Sequence, residues 1–364
     1  MLVRSGGLFA VTLSVGLLAA SAARGGEPPV GGDALKVLPK RPGVELHVSG
    51  RVVGVATPSQ MLTVSRESGD WLWVGRGWLL RDEVVTADEA QAFFTAMIEH
   101  EPTAFAYASR SRAWFQTEKF DQALADAEAA LRLEPRSAVA YKCRGRIRLA
   151  QGDSAAAIDD LNTALAIDPK LATALNYRAQ SYSKAGGFEQ AIADATAAIT
   201  LDPSITVAYS VRGRALAAVS SYERAVQDFD TLLAMDPRYL PALNNRANAL
   251  LKLGRYAQCI ADYTAALAIE RRADVFYNRA IARIHLGEVR LAIEDLTTAI
   301  ELDPDAAAAY YHRSTLYRQL GQIDRAASDL AASQRLRELR PDGLPGKGQR
   351  SASDRRPTSD PPTS

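Results

Sequence analysis

Charge of one sign is missing from this chain: 43 lysines and arginines stand against 42 aspartates and glutamates in 364 residues. No global field steers such a molecule toward nucleic acid or an anionic membrane, so any electrostatic preference must be local. Cysteine is nearly absent. The two present, Cys143 and Cys259, fall three repeats apart in the register given below, beyond the reach of a disulfide. Both are expected to be free, packed thiols with no metal or redox chemistry. Histidine is almost as scarce, and His47, His100, His285 and His312 sit in four different elements. No H-E-x-x-H, G-x-S-x-G or phosphate-loop motif occurs, so the chain carries no enzyme signature, and neither cofactor nor metal is expected. His285 and His312 lie on first helices of adjacent repeats; as a metal pair they compete with the plainer reading of solvated or groove-lining side chains.

Long apolar runs are also lacking beyond the N-terminus, which excludes a further membrane span. The opening "MLVRSGGLFAVTLSVGLLAASAARGG" combines Arg4, an apolar stretch and a small-residue exit at Ala20, Ser21 and Ala22. That is the layout of a cleaved secretory signal over residues 1–23 and implies an exported, periplasmic or secreted chain; an uncleaved anchor is the alternative. Residues 24–34, "RGGEPPVGGDA", read as a linker. The Pro-, Ser- and Gly-rich tail, 339–364, reads as disordered.

What is there is a period. Pro135, Pro169, Pro203 and Pro237 each follow an acidic residue and stand 34 apart, with Pro304 two periods less one residue further on. Seven units result, starting at Ala104, Ala138, Ala172, Thr206, Leu240, Ala273 and Ala307. The twentieth residue of each is small: Ala123, Ala157, Ala191, Ala225, Cys259, Ala292 and Ala326. Two helices must cross closely there. Columns four and seven residues further on complete one helical face. An earlier helix opens with a large residue in its fourth column, from Tyr107 to Tyr310, and turn signals such as "AGGF" and "LGRY" separate the two. The residue before proline is disfavoured in the α region, so each Asp-Pro is a corner between one helix pair and the next.

The pattern resembles the tetratricopeptide repeat over residues 104–338. The resemblance implies a mainly α fold, an α-solenoid in which helix pairs form a right-handed superhelix. Two columns are more regular than the family requires. The seventh residue is always arginine (Arg110, Arg144, Arg178, Arg212, Arg246, Arg279, Arg313), and the twenty-third always aspartate (Asp126, Asp160, Asp194, Asp228, Asp262, Asp295, Asp329). A repeated salt bridge between helices is the expected role, because partial burial demands a partner for each charge; a row of anion sites is the alternative.

Ahead of the repeats, residues 35–85 contain short β-like runs: "VELHV", "RVVGV", "MLTVS", "WLWV" and "GWLL". The stretch "LTVSRESGDWLWVGRGWLLRDEVV" resembles the second half of a bacterial SH3-like domain, which implies a small all-β barrel. Trp71, Trp73 and Trp78 are candidates for an aromatic groove, with one of Trp71 and Trp73 expected to face the core and the other the outside. Residues 86–102 open with Thr86 and Glu89 in capping-box spacing and read as a half-repeat that caps the first full unit. The seven repeats then occupy 103–338.

Resemblance to the repeat family also implies which first-helix positions face the groove. Here they hold Arg112, Lys142, Arg146, Lys184, Arg214, Lys252 and Arg318 against a single acid, Asp274, with Asn176, Gln180, Asn244 and Asn248 among them. The expected partner is a protein or peptide segment, with no role for nucleic acid; the basic positions point to an acidic segment, and the alternative is that long basic side chains simply solvate the groove. The chain thus reads as a non-catalytic exported scaffold. The alternative is a cell-envelope adaptor that holds peptidoglycan or another glycan through the SH3-like barrel and uses the repeats as a spacer.

Overall fold

The computed structural model describes residues 35–56, 61–75 and 77–339. The signal, the linker and the tail beyond residue 339 lie outside them. The chain divides into two compact units, one ending at Ser181 and one beginning at Tyr182.

The first unit opens with two small antiparallel sheets. One has the order β4 (Leu62–Thr63), β1 (Lys36–Pro39), β8 (Val84–Thr86), and the other β3 (Arg51–Val55), β2 (Glu45–Val48), β7 (Trp78–Leu80), β6 (Trp71–Trp73), β5 (Arg66–Ser68). All five runs picked out in the sequence form strands; β1, β5 and β8, which carry little alternation, were not anticipated. Val37, Val44, Leu46, Leu62, Leu72 and Leu79 make the core between the sheets.

The expectation that Trp71 and Trp73 point opposite ways is wrong. Residues two apart in a strand share a face, and it is Leu72 between them that is buried. Trp73 lies opposite Trp78, and Trp78 opposite His47. A half-buried aromatic row therefore crosses the outer face of this sheet, with Trp73 and Trp78 edge to face at 5.4 Å.

Helix α1 (Ala90–His100) begins later than the capping-box reading placed it. Thr86 ends β8, and its hydroxyl bonds the Glu89 carboxylate at 2.9 Å in a turn ahead of the helix. Ala90 and Phe94 of α1 pack with Leu38, Val85 and Ala113, which joins the β region to the first repeat helix. The helix pairs of this unit are α2 (Ala104–Gln116) with α3 (Phe120–Leu133) and α4 (Ala138–Ala150) with α5 (Ser154–Ile167), followed by the start of α6 (Ala172–Ala185). The second unit continues with α7 (Phe188–Leu201), then pairs α8 (Thr206–Ala218) with α9 (Tyr222–Met235) and α10 (Leu240–Lys252) with α11 (Tyr256–Ile269). It closes with α12 (Ala273–His285), α13 (Val289–Leu302), α14 (Ala307–Gln319) and α15 (Ile323–Leu339). The mainly α, repeated helix-pair class read from the sequence is the one observed. No helix among the described residues is long and apolar enough to cross a membrane.

Local chemistry explains the repetition. The acidic residue before proline is extended, as at Asp168 (φ −130°, ψ 93°), so the second helices followed by such a pair stop there, while α11 stops at the extended Glu270 although Arg271 follows it. The turn inside each pair needs a left-handed residue at the fifteenth position. Glycine supplies it at Gly152 (φ 90°) and Gly254 (φ 71°), while Glu118 and Ser220 are forced into the same region.

The small eighth residue is a packing requirement. A Cβ on Gly145 would lie 2.9 Å from Leu161 Cγ and 3.2 Å from the Ala157 carbonyl. Gly145→Ala should therefore destabilise unit 1 by about 1–2 kcal/mol, the overpacking cost exceeding the gain in helix propensity. Urea unfolding checks this, and an unchanged or higher midpoint would mean that α4 and α5 can separate without penalty.

Candidate functional site

In six of the seven repeats the two charged columns pair as expected. In α2–α3 the Arg110 guanidinium donates to both oxygens of Asp126 at 2.8 and 2.7 Å. Matching forks join Arg144 to Asp160, Arg212 to Asp228, Arg246 to Asp262, Arg279 to Asp295 and Arg313 to Asp329. These carboxylates are buried. The hydrogen bond to the partner carboxylate outweighs burial and holds Arg110, Arg212 and Arg313 above the ordinary guanidinium range. The fork leaves one nitrogen to reach the preceding second helix, as Arg212 does to Thr196 at 3.2 Å and Arg246 to Asp230 at 2.6 Å. Arg110, Arg144, Arg212, Arg279 and Arg313 also sit over the ring three residues earlier, Arg144 over Tyr141 at 5.5 Å. Arg148 and Arg283, in the eleventh column, add a second cation to Asp160 and Asp295. Cations with this many partners are scaffold.

Another set of cations is not paired in this way. Arg112 of α2 with Lys142 and Arg146 of α4 lines a small cleft in unit 1, together with Ser111, Phe115, Cys143 and Ile147. Lys142 is only 2% exposed. No carboxylate lines the cleft. Arg112 Nε and Arg146 Nη1 are buried without a hydrogen-bond partner. Arg146 lies 3.7 Å over the Phe115 ring and 5.5 Å from that of Tyr177, so two aromatic faces fix its plane.

The electrostatics report one deficit of negative charge. Burial, with repulsion from Arg112 and Arg146, pushes the Lys142 ammonium below its usual value. Burial brings Arg146 down to about 10. Burial pushes the Tyr177 phenol up, but Arg112, Arg146 and Lys142 together outweigh it and leave the phenol lowered. Buried cations normally acquire a carboxylate; here none is supplied.

Of the ten residues read as groove-binding, the structure brings together Arg112, Lys142 and Arg146. Asn176 is buried on α6 with Oδ1 unpartnered, and Gln180 is half-buried on the same helix. In unit 2, Lys184, Arg214 and Lys252 are exposed. Asn244 is half-buried with its Oδ1 unpartnered, while Asn248 accepts a 2.6 Å bond from the Tyr263 hydroxyl. The single acid, Asp274, is taken by Arg272 at 2.8 Å. The sequence reading missed Phe115 and Tyr177 because it scanned groove columns for polar residues alone, although Phe115 occupies the twelfth column.

His285 stacks flat on Tyr256 at 4.6 Å, and His312 packs against Tyr277 and Tyr311. Among the described residues no group of three metal-ligating side chains occurs. Cys143 and Cys259 are free and buried. Burial raises the Cys259 thiol to about 12, which makes it inert.

A tetratricopeptide repeat model matches residues 110–172, 178–239 and 277–341, more than half of the chain. A second model of the same description matches 241–272. No curated protein matches the chain. Among solved structures, the APC/C hetero-tetramer Cut9-Hcn1 is 18% identical, with 71% of this chain and 51% of that chain covered at a TM-score of 0.50. PilF of Pseudomonas aeruginosa is 18% identical, with 65% and 98% covered and a TM-score of 0.49. A tetratricopeptide repeat protein from Parabacteroides merdae is 22% identical, with 67% and 93% covered and a TM-score of 0.47. At such identities the likeness concerns the fold alone.

Proposed function

Because the chain belongs to the tetratricopeptide repeat family, we propose that it is a non-catalytic, exported scaffold whose first-helix faces hold protein segments, acidic ones in particular. One observation carries this reading: buried Lys142 and half-buried Arg112 and Arg146, each arginine with a buried unpartnered nitrogen, come together without a carboxylate, at a cost in stability that a ligand's negative charge would offset. Folding alone does not require the arrangement, since the Arg–Asp forks already satisfy the helix pairs. Export rests on the N-terminal segment of the sequence.

Titration of the full chain into a fluorescent Glu-rich peptide tests the proposal. Anisotropy should rise to saturation and the affinity should fall as salt is added, because part of the attraction is screened. Absence of binding at low salt, or binding indifferent to salt, would count against it.

A second reading is favoured by the aromatic row of Trp71, Trp73, Trp78 and His47 on the outer sheet face. In it the N-terminal β region is an SH3-like domain that stacks on a glycan such as peptidoglycan, and the repeats are a spacer. Retention of the chain on insoluble peptidoglycan, lost on Trp73→Ala, would favour this reading over the first.

A further inference from the structure

The cleft of unit 1 says more about its ligand than that it is acidic. Its three cations come from α2 and α4, and Tyr177 of α6 contributes the ring that faces Arg146. Lys142 is almost wholly buried, lines the cleft and has no carboxylate there beside it. Arg112 and Arg146 each keep a buried N–H without an acceptor. Ser111, on the same wall, is already committed, donating to the Ala123 carbonyl at 2.7 Å. The free donors are therefore cationic ones.

We propose that this cleft is a binding site for a doubly charged oxyanion of the phosphate-monoester class, carried on a protein side chain, in preference to a lone carboxylate. The inference rests on the reading that first-helix faces hold protein segments. A carboxylate would cancel one of three charges and offer two oxygens. A phosphate monoester carries close to two negative charges near neutral pH and presents three strong acceptor oxygens, one for each cation. The site is also built in advance. Arg146 is clamped between the rings of Phe115 and Tyr177, so its plane is fixed and its donor edge stays available, which lowers the ordering cost of binding. The directions in which Lys142, Arg146 and Tyr177 titrate agree with a site short of more than one negative charge.

Calorimetric titration of the full chain with inorganic phosphate, and separately with acetate, tests the assignment. Phosphate should bind saturably and at least tenfold more tightly than acetate. Lys142→Met and Arg146→Gln should each weaken phosphate binding tenfold or more with helical circular dichroism retained, while Arg132→Gln, an exposed cation on α3, should leave it unchanged. No saturable phosphate binding, equal affinity for acetate, or unchanged affinity in both cleft variants would overturn the proposal. A Glu-rich peptide bound through Lys142 while phosphate is ignored overturns the dianion preference and leaves the scaffold reading standing. Phosphate bound while the Glu-rich peptide is ignored supports the dianion site and removes the acidic-segment form of that reading.

Discussion

Asp160→Ala is expected to destabilise unit 1 by about 3 kcal/mol, the largest loss from any one carboxylate in it. The Asp160 side chain is 4% exposed and takes Arg144 at 2.7 Å and Arg148 at 2.9 Å. Its removal strands two guanidinium groups between α4 and α5. Breaking a buried pair costs roughly 3–5 kcal/mol. The lower end applies, because Arg144 and Arg148 are themselves 21% and 27% exposed and water screens part of the loss. Asp126→Ala, which strands only Arg110, should cost about 2 kcal/mol. The shift of the urea midpoint, multiplied by a common slope, gives both values. A loss below about 0.5 kcal/mol at Asp160 would mean that the forks do not hold the helices, and would return the arginine column to the candidates for ligand binding.

Lys142→Met should act in the opposite direction. Methionine keeps most of the buried volume of the lysine stem and removes a charge that no carboxylate balances, so the ligand-free chain should gain on the order of 1–3 kcal/mol. The pH dependence carries the same signature. The folded-state pKa of Lys142 is depressed, so from that depressed value up to the ordinary lysine value of about 10.4 the unfolded chain holds the proton more readily. Wild-type stability should therefore rise with pH between the depressed value and about 10.4, on top of any like contribution from Arg146, and Lys142→Met should lose its part of that rise. A variant less stable than wild type at neutral pH would show that Lys142 is a structural group with a partner, and that the cleft holds no stored charge.

These opposite signs separate two kinds of basic residue that look alike in a sequence. The scaffold was legible because it is periodic: helices α2, α4, α6, α8, α10, α12 and α14 begin at the seven positions counted from proline and the small columns. The forks followed from two invariant columns and the rule that buried charges need partners. The cleft was only half legible. Position along the first helix identified Arg112, Lys142 and Arg146, but nothing in the column marked them off from Arg214 or Lys252, which are exposed. What distinguishes them is the pair of rings around Arg146, and Phe115 and Tyr177 come from different repeats and different columns. Such a clamp is a property of stacking and has no signature in one repeat. The tryptophan orientation failed for a different reason, a period of two misapplied to residues two apart; the buried Leu72 corrects it.

The central claim is that unbalanced cations in unit 1 are kept for a ligand. It is tested most directly by the affinity of the Glu-rich peptide for the full chain carrying Arg146→Glu, measured beside wild type at low salt. The account predicts a loss of a hundredfold or more, equivalent to about 2.7 kcal/mol, with helical content retained, because the reversal places a like charge where the segment's carboxylate should sit. Wild-type affinity in the folded variant would contradict it and move the binding surface away from the cleft.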